Sequence, residues 1–153
     1  VLTPKGLNRK CVGRSAKALL KMVGVDVPDN IRCITFEGEK EHPLIATELM
    51  MPILGVVRAK DFKDAVDKAV WLEHGNRHSA HIHSKNVDHI TEYAKAIDTA
   101  ILVKNGPSYA ALGFGGEGYC TFTIASRTGE GLTAAHTFTK SRRCVMVESL
   151  CIR

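Results

Sequence analysis

The sequence predicts an α/β fold on three observations. Apolar residues recur at helical spacing in two stretches, short apolar runs flank each of them, and the connections between these segments are only a few residues long. Strand, helix, strand, helix, strand joined so tightly implies helical crossovers and a largely parallel sheet.

The elements follow in order. Residues 1–12 are basic and show little periodicity, whereas Ser15 offers an N-cap before Ala16, Leu19, Leu20 and Val23, with Gly24 as a stop. This predicts a short amphipathic helix. Pro28 breaks the chain, residues 32–36 form a strand candidate, and residues 37–43 are a polar loop. Residues 53–58 are an apolar run suited to a strand buried on both faces. Asp61 then caps a helix whose Phe62, Ala65, Val66, Ala69 and Val70 keep the i, i+3, i+4, i+7, i+8 spacing until Gly75. Residues 79–83 give the next strand, Val87, Ile90, Ala94 and Ile97 line a second helix, and residues 100–104 close the series. Beyond Gly106 and Pro107 the chain turns to glycine, serine and threonine, with extended, β-rich stretches over 119–126 and 136–147. These read as an arm that packs on another part of the fold or on another subunit.

Composition narrows the classes. The chain has 153 residues, 44% apolar and 24% charged, the balance of one globular domain with a core. No run approaches the ~20 apolar residues of a bilayer span, and no signal-peptide pattern opens the chain. Cys11, Cys33, Cys120, Cys144 and Cys151 make an odd set without a CxxC pair, which argues against a disulfide framework or zinc ribbon and for a reducing, cytoplasmic setting. The net charge of +5 favours an anionic partner such as a phosphate-bearing cofactor. Dispersed basic residues and few aromatics make nucleic acid the lesser choice.

Candidate chemistry is concentrated in a few places. Residues 113–118 match the letters of the dinucleotide fingerprint G-x-G-x-x-G, but a strand rather than a helix is expected to follow, so the match reads as accidental. A glycine loop admitting a close backbone approach is the better account. Four of the seven histidines are His74, His78, His81 and His83. His81 and His83 share a strand face, yet spacing supplies no third metal ligand, so no metal is assigned. His78 precedes a strand, where a side chain can reach a cleft. Glu48 lies among apolar residues just before another strand, either as a loop carboxylate bonded to backbone N–H groups or as a ligand for sugar hydroxyls or a proton carrier. Cys144, after Arg142 and Arg143, reads as an inert strand cysteine, and none of the five cysteines has a nucleophile's setting.

Six ordered motifs add a resemblance: residues 47–52 (TELMMP), 77–84 (RHSAHIHS), 103–107 (VKNGP), 115–118 (GGEG), 128–131 (TGEG) and 137–145 (TFTKSRRCV). Nearly the whole chain is similar to the C-terminal part of the CoA-acylating aldehyde dehydrogenases, in particular the propionaldehyde and acetaldehyde dehydrogenases of propanediol- and ethanolamine-utilisation microcompartments. The resemblance implies a cysteine thiolate attacking an aldehyde, hydride transfer to NAD, and release of the thioester to coenzyme A. It implies that Glu48 and Pro52, from the E-x-x-x-P motif, lie at the nicotinamide-ribose side of the cofactor, and that His78 is the base for the CoA thiol. It also implies that residues 1–106 belong to the α/β catalytic domain and residues 107–153 to glycine-rich loops and an oligomerisation arm. The NAD-binding domain and nucleophile of such enzymes precede this region, so the isolated chain is expected to be inactive. Homo-oligomers, a microcompartment lumen and shell-protein partners are further implications. Rival readings are a non-catalytic binding or oligomerisation module and a metal-binding domain using His78, His81 and His83. Aldehyde–alcohol and succinate-semialdehyde dehydrogenases are the neighbouring enzyme types.

Overall fold

The computed structural model describes residues 1–4, 6–118, 133–145 and 147. The chain divides into two compact units, Val1–Gly75 and Asn76–Arg153, where composition predicts one. Each unit has its own pair of parallel strands, and this local packing accounts for the division.

In the first unit, β1 (Leu2–Thr3) and β2 (Gly6–Leu7) form a minimal antiparallel pair with Leu2 opposite Leu7. Helix α1 (Ala16–Lys21) starts where expected: the Ser15 hydroxyl accepts the Ala18 N–H at 3.3 Å. The helix buries Ala16 and Leu19, with the Cys11 thiol also buried at 1% exposure and 4.0 Å from the Met22 sulfur. Val23, expected on the apolar face, lies beyond the helix end and is 73% exposed.

Strand β3 (Ile34–Glu37) pairs in parallel with β4 (Ile53–Val56), Ile34 opposite Ile53 and Phe36 opposite Gly55. Between them is α2 (Pro43–Ala46), which has no apolar period to announce it. Its signals are local: Pro43 occupies the first turn, where its missing N–H costs nothing, and His42 Nδ1 accepts the Leu44 N–H at 3.2 Å. Ile45 lies on Gly55 so closely that a Cβ there would be 2.3 Å from its Cγ1. One face of the strand pair, with Ile34, Phe36 and Ile53, is half-buried, while Leu54 and Val56 on the other are exposed. The expectation of a strand buried on both faces is therefore corrected, since α2 covers a single face.

Helix α3 (Phe62–Glu73) begins at Asp61, whose Oδ1 accepts the Asp64 N–H at 2.8 Å, and ends at His74 and Gly75, both at positive φ. Lys68 donates to Asp64 Oδ2 at 2.8 Å, and that bond, followed by the one from the Lys60 N–H, holds the Asp64 carboxyl below its ordinary value. A lowered folded-state pKa means stability present above the unfolded value of about 3.9 and lost as the pH falls through the folded one. Asp64→Asn is accordingly expected to lower the urea midpoint at pH 7, with the gap from the parent closing in acid below about pH 4. A gap that persists unchanged in acid would count against the ion pair as its source.

The second unit is built on β5 (Ser79–Ile82) and β6 (Ile101–Lys104), parallel, with Ser79 opposite Ile101 and His81 opposite Val103. Helix α4 (Val87–Ile97) connects them, capped by Asn86 Oδ1, which accepts the N–H groups of Asp88 and His89 at 2.9 and 3.3 Å. Tyr93 and Ile97 are its buried residues, whereas Val87, in the first turn, is 71% exposed. Asn105 ties the strand ends together: Oδ1 accepts the Ser84 N–H at 2.8 Å and Nδ2 donates to the Ser84 carbonyl at 2.9 Å.

A 3-10 helix, Ser108–Leu112, follows Pro107 and ends at Gly113 with φ +88. Residues 116–118 lie against it, and a Cβ on Gly118 would be 2.0 Å from the Ala111 carbonyl oxygen. The glycines there serve a close backbone approach. Among the described residues the parallel pairing of the sequence reading is seen within each unit, as β3 with β4 in the first and β5 with β6 in the second. Within 133–147, the described residues show a 3-10 helix, Ala135–Phe138, followed by Thr139 in an extended conformation, with no strand pairing among them. The strand expected over 119–126, the motif at 128–131, Cys120 and Cys151 lie outside the described residues. No helix among the described residues is long and apolar enough to cross a membrane.

Candidate functional site

Glu48 stands in the first unit, on the loop between α2 and β4. The loop is held from both sides of Glu48's neighbours. Leu49 is buried, Met50 takes a left-handed φ of +52, and the Met50 carbonyl accepts the Gly13 N–H at 3.1 Å. The Pro52 carbonyl accepts the Ile34 N–H at 2.9 Å and so opens the β3–β4 ladder. A left-handed non-glycine residue costs energy that the surrounding contacts must offset. The result is an exposed Glu48 carboxylate on an anchored turn, with no hydrogen bond or ion pair among the described residues. The reading of Glu48 as a carboxylate occupied by backbone N–H groups is not observed, which leaves its oxygens available to hydroxyl donors.

His78 stands in the second unit, one residue before β5. Arg77 before it has φ +56, and its guanidinium donates to the Ile97 carbonyl at the end of α4. The Arg77 and His78 carbonyls accept the N–H groups of Ala100 and Ile101 at 3.0 and 3.1 Å. Backbone on both sides of His78 is thereby fixed, and the half-buried ring is held through Nδ1, 3.0 Å from Ser79 Oγ.

The other histidines are occupied differently. His74 Nε2 bonds the Ala46 carbonyl at 2.9 Å, tying α3 to α2, and His81 Nε2 meets Ser108 Oγ at 2.9 Å. Among the described residues no three His, Cys, Asp or Glu side chains converge as a metal site, so the trio His78, His81 and His83 is not brought together. Cys11 is buried, while Cys33 and Cys144 are exposed. Cys144 lies outside any strand, which corrects the strand-cysteine reading.

Sequence reasoning missed two features of the second unit. A cavity of about 360 Å³ is lined by β6, Ala110, Ala111, Gly116 and Glu117, and the only hint of it in the sequence is the cluster of glycines. The Ser79 contact with His78 was also missed, since it depends on a ring orientation that no periodicity reports.

Parallel strand pairs with helical connections define the chain as α/β. No protein-family model matches the chain. Individual proteins do. The propionaldehyde dehydrogenase from the Clostridium phytofermentans fucose-utilisation microcompartment is 82% identical, with a TM-score of 0.89 over 100% of this chain and 35% of its own. The Rhodopseudomonas palustris propionaldehyde dehydrogenase, solved with bound propionyl-CoA, is 55% identical, with a TM-score of 0.88 over 95% of this chain and 32% of its own. The acetylating acetaldehyde dehydrogenase of Salmonella typhimurium is 48% identical over 94% of this chain and 31% of its own length. The chain belongs to the CoA-acylating aldehyde dehydrogenase family, and it spans about a third of the length of these relatives.

Proposed function

We propose that this chain is the C-terminal catalytic segment of an NAD-dependent CoA-acylating aldehyde dehydrogenase that converts propionaldehyde or acetaldehyde to the acyl-CoA. The single observation that carries the reading is likeness over the full chain, in sequence and fold together, to a microcompartment propionaldehyde dehydrogenase.

Glu48 fits the ribose of a dinucleotide on its own geometry: an exposed carboxylate, unengaged among the described residues, can accept from two adjacent hydroxyls. Pro52, four residues on, fixes the loop that presents it. NAD, when bound, takes up the hydride released as the aldehyde adduct becomes a thioester. His78 then serves the second half of the reaction. A thiol of ordinary pKa about 8.5 is mostly protonated at neutral pH, and an imidazole of ordinary pKa about 6.5 can accept that proton. The CoA thiolate attacks the thioester carbonyl, and the enzyme's cysteine leaves as thiolate. That cysteine is assigned to the longer protein, since this chain spans only about a third of the length of its relatives. Residues 107–153 are assigned to subunit association in a homo-oligomer, and the assembled enzyme to the cytoplasm or a microcompartment lumen with shell proteins as partners.

The test follows NADH absorbance with propionaldehyde, NAD and CoA. A protein of full family length carrying these residues is expected to turn over and to require CoA, whereas the 153-residue chain alone is expected to give no NADH. Turnover by the chain alone, or CoA-independent release of free acid by the longer protein, would sink the proposal.

A further inference from the structure

Two imidazoles of the second unit each meet a serine hydroxyl, but through different ring nitrogens. His81 uses Nε2 toward Ser108, whereas His78 uses Nδ1 toward Ser79. A neutral imidazole carries one proton, so the nitrogen that donates leaves the other as the base.

We propose that Ser79 is a positioning residue for the CoA half of the reaction: its Oγ accepts the Nδ1–H of His78 and holds the ring in the tautomer whose Nε2 takes the thiol proton. This rests on the reading of His78 as that base. Three observations support it. Ser79 is the first residue of β5, paired with Ile101, so its short side chain projects from a backbone fixed in the ladder. It alternates with buried Ala80 and is itself exposed, so the core does not account for a hydroxyl here. The bond is 3.0 Å long and Nδ1 is the acceptor or donor according to tautomer. If Ser79 donated instead, the single ring proton would sit on Nε2, and His78 would have no lone pair to offer the thiol.

The proton count closes in the proposed arrangement. The S–H proton of CoA moves to Nε2, the thiolate forms a bond to the thioester carbon, and the cysteine sulfur leaves with the electron pair of the broken C–S bond. The imidazolium keeps its Nδ1–H bond to Ser79 Oγ, now charge-assisted and therefore stronger. Ser79 thus favours the reactive tautomer and keeps its bond to the ring through the step.

The test uses the enzyme of full family length with Ser79→Ala, Ser79→Thr and His78→Ala. Single-turnover NADH formation without CoA reports acylation, steady-state kinetics with CoA report thioester release, and nitrogen-15 spectra of the histidines report the tautomer. Ser79→Ala is expected to keep the NADH burst, to lower kcat for release by about tenfold with little change in the KM for CoA, and to move His78 toward the Nε2–H form. Ser79→Thr, which restores a hydroxyl, is expected to recover release to within about threefold of the parent. Parent-like release and an unchanged tautomer in Ser79→Ala, beside a slow His78→Ala, would overturn the role of Ser79 and leave the base reading intact. Parent-like release in His78→Ala would overturn both. If Ser79→Ala folds poorly and loses the burst, the Thr variant decides: recovery of burst and release with a parent tautomer supports the proposal, and normal release with an Nε2–H ring refutes it.

Discussion

Replacing His78 by alanine in the full-length enzyme is expected to leave the first half of the reaction intact and to slow thioester release by about 10²–10⁴-fold, the usual range for removing a general base. The division between the two half-reactions is the informative part. In the proposed mechanism His78 receives the proton of an incoming thiol, whereas the aldehyde adduct forms on a cysteine elsewhere in the longer protein. A stoichiometric burst of NADH should therefore survive, followed by an acylated enzyme that CoA discharges slowly. Loss of the burst would assign His78 to acylation instead. The backbone argues against a trivial folding defect, because the His78 and Arg77 carbonyls, not the imidazole, make the ladder bonds to Ile101 and Ala100.

Gly55→Ala is expected to destabilise the first unit by about 2–3 kcal/mol, at the upper end of ordinary overpacking. A Cβ at this position would be 2.3 Å from Ile45 Cγ1 and 3.3 Å from Ile45 Cβ. Rotating the Ile45 side chain relieves the first contact but not the second, which asks α2 to give by a few tenths of an ångström. That requirement gives a distinctive double-mutant signature: Ile45→Ala costs stability alone, yet in combination with Gly55→Ala the total loss should fall short of the two separate losses. Urea unfolding of the four proteins measures this. Strict additivity would mean that the two residues do not meet.

The elements written in local periodicity were legible in the sequence, and those made by single contacts were not. Helix α3 was readable from Asp61 to Gly75 because its apolar stripe, its cap and its left-handed stop all lie within one stretch of chain. Helix α2 was not, since four residues cannot show a period and its cap is an imidazole, a rare choice. Strand pairing was only half legible. Parallel pairing was foreseeable from the connections, but the choice of partner, β3 with β4 and β5 with β6, depends on contacts distant in sequence. The candidate site behaved in the same way. Spacing alone left Glu48 and His78 with bland alternatives, and the ordered motifs singled them out. Ser79 remained invisible because its part is fixed by which ring nitrogen faces it.

The buried thiol of Cys11 makes the first unit its own reporter. At 1% exposure it is closed to an alkylating reagent in the folded state, whereas Cys33 and Cys144 stand open to it. Slow labelling at Cys11 then counts the moments when the turn before α1 lifts away from the helix, and the two fast thiols calibrate the reagent in the same tube.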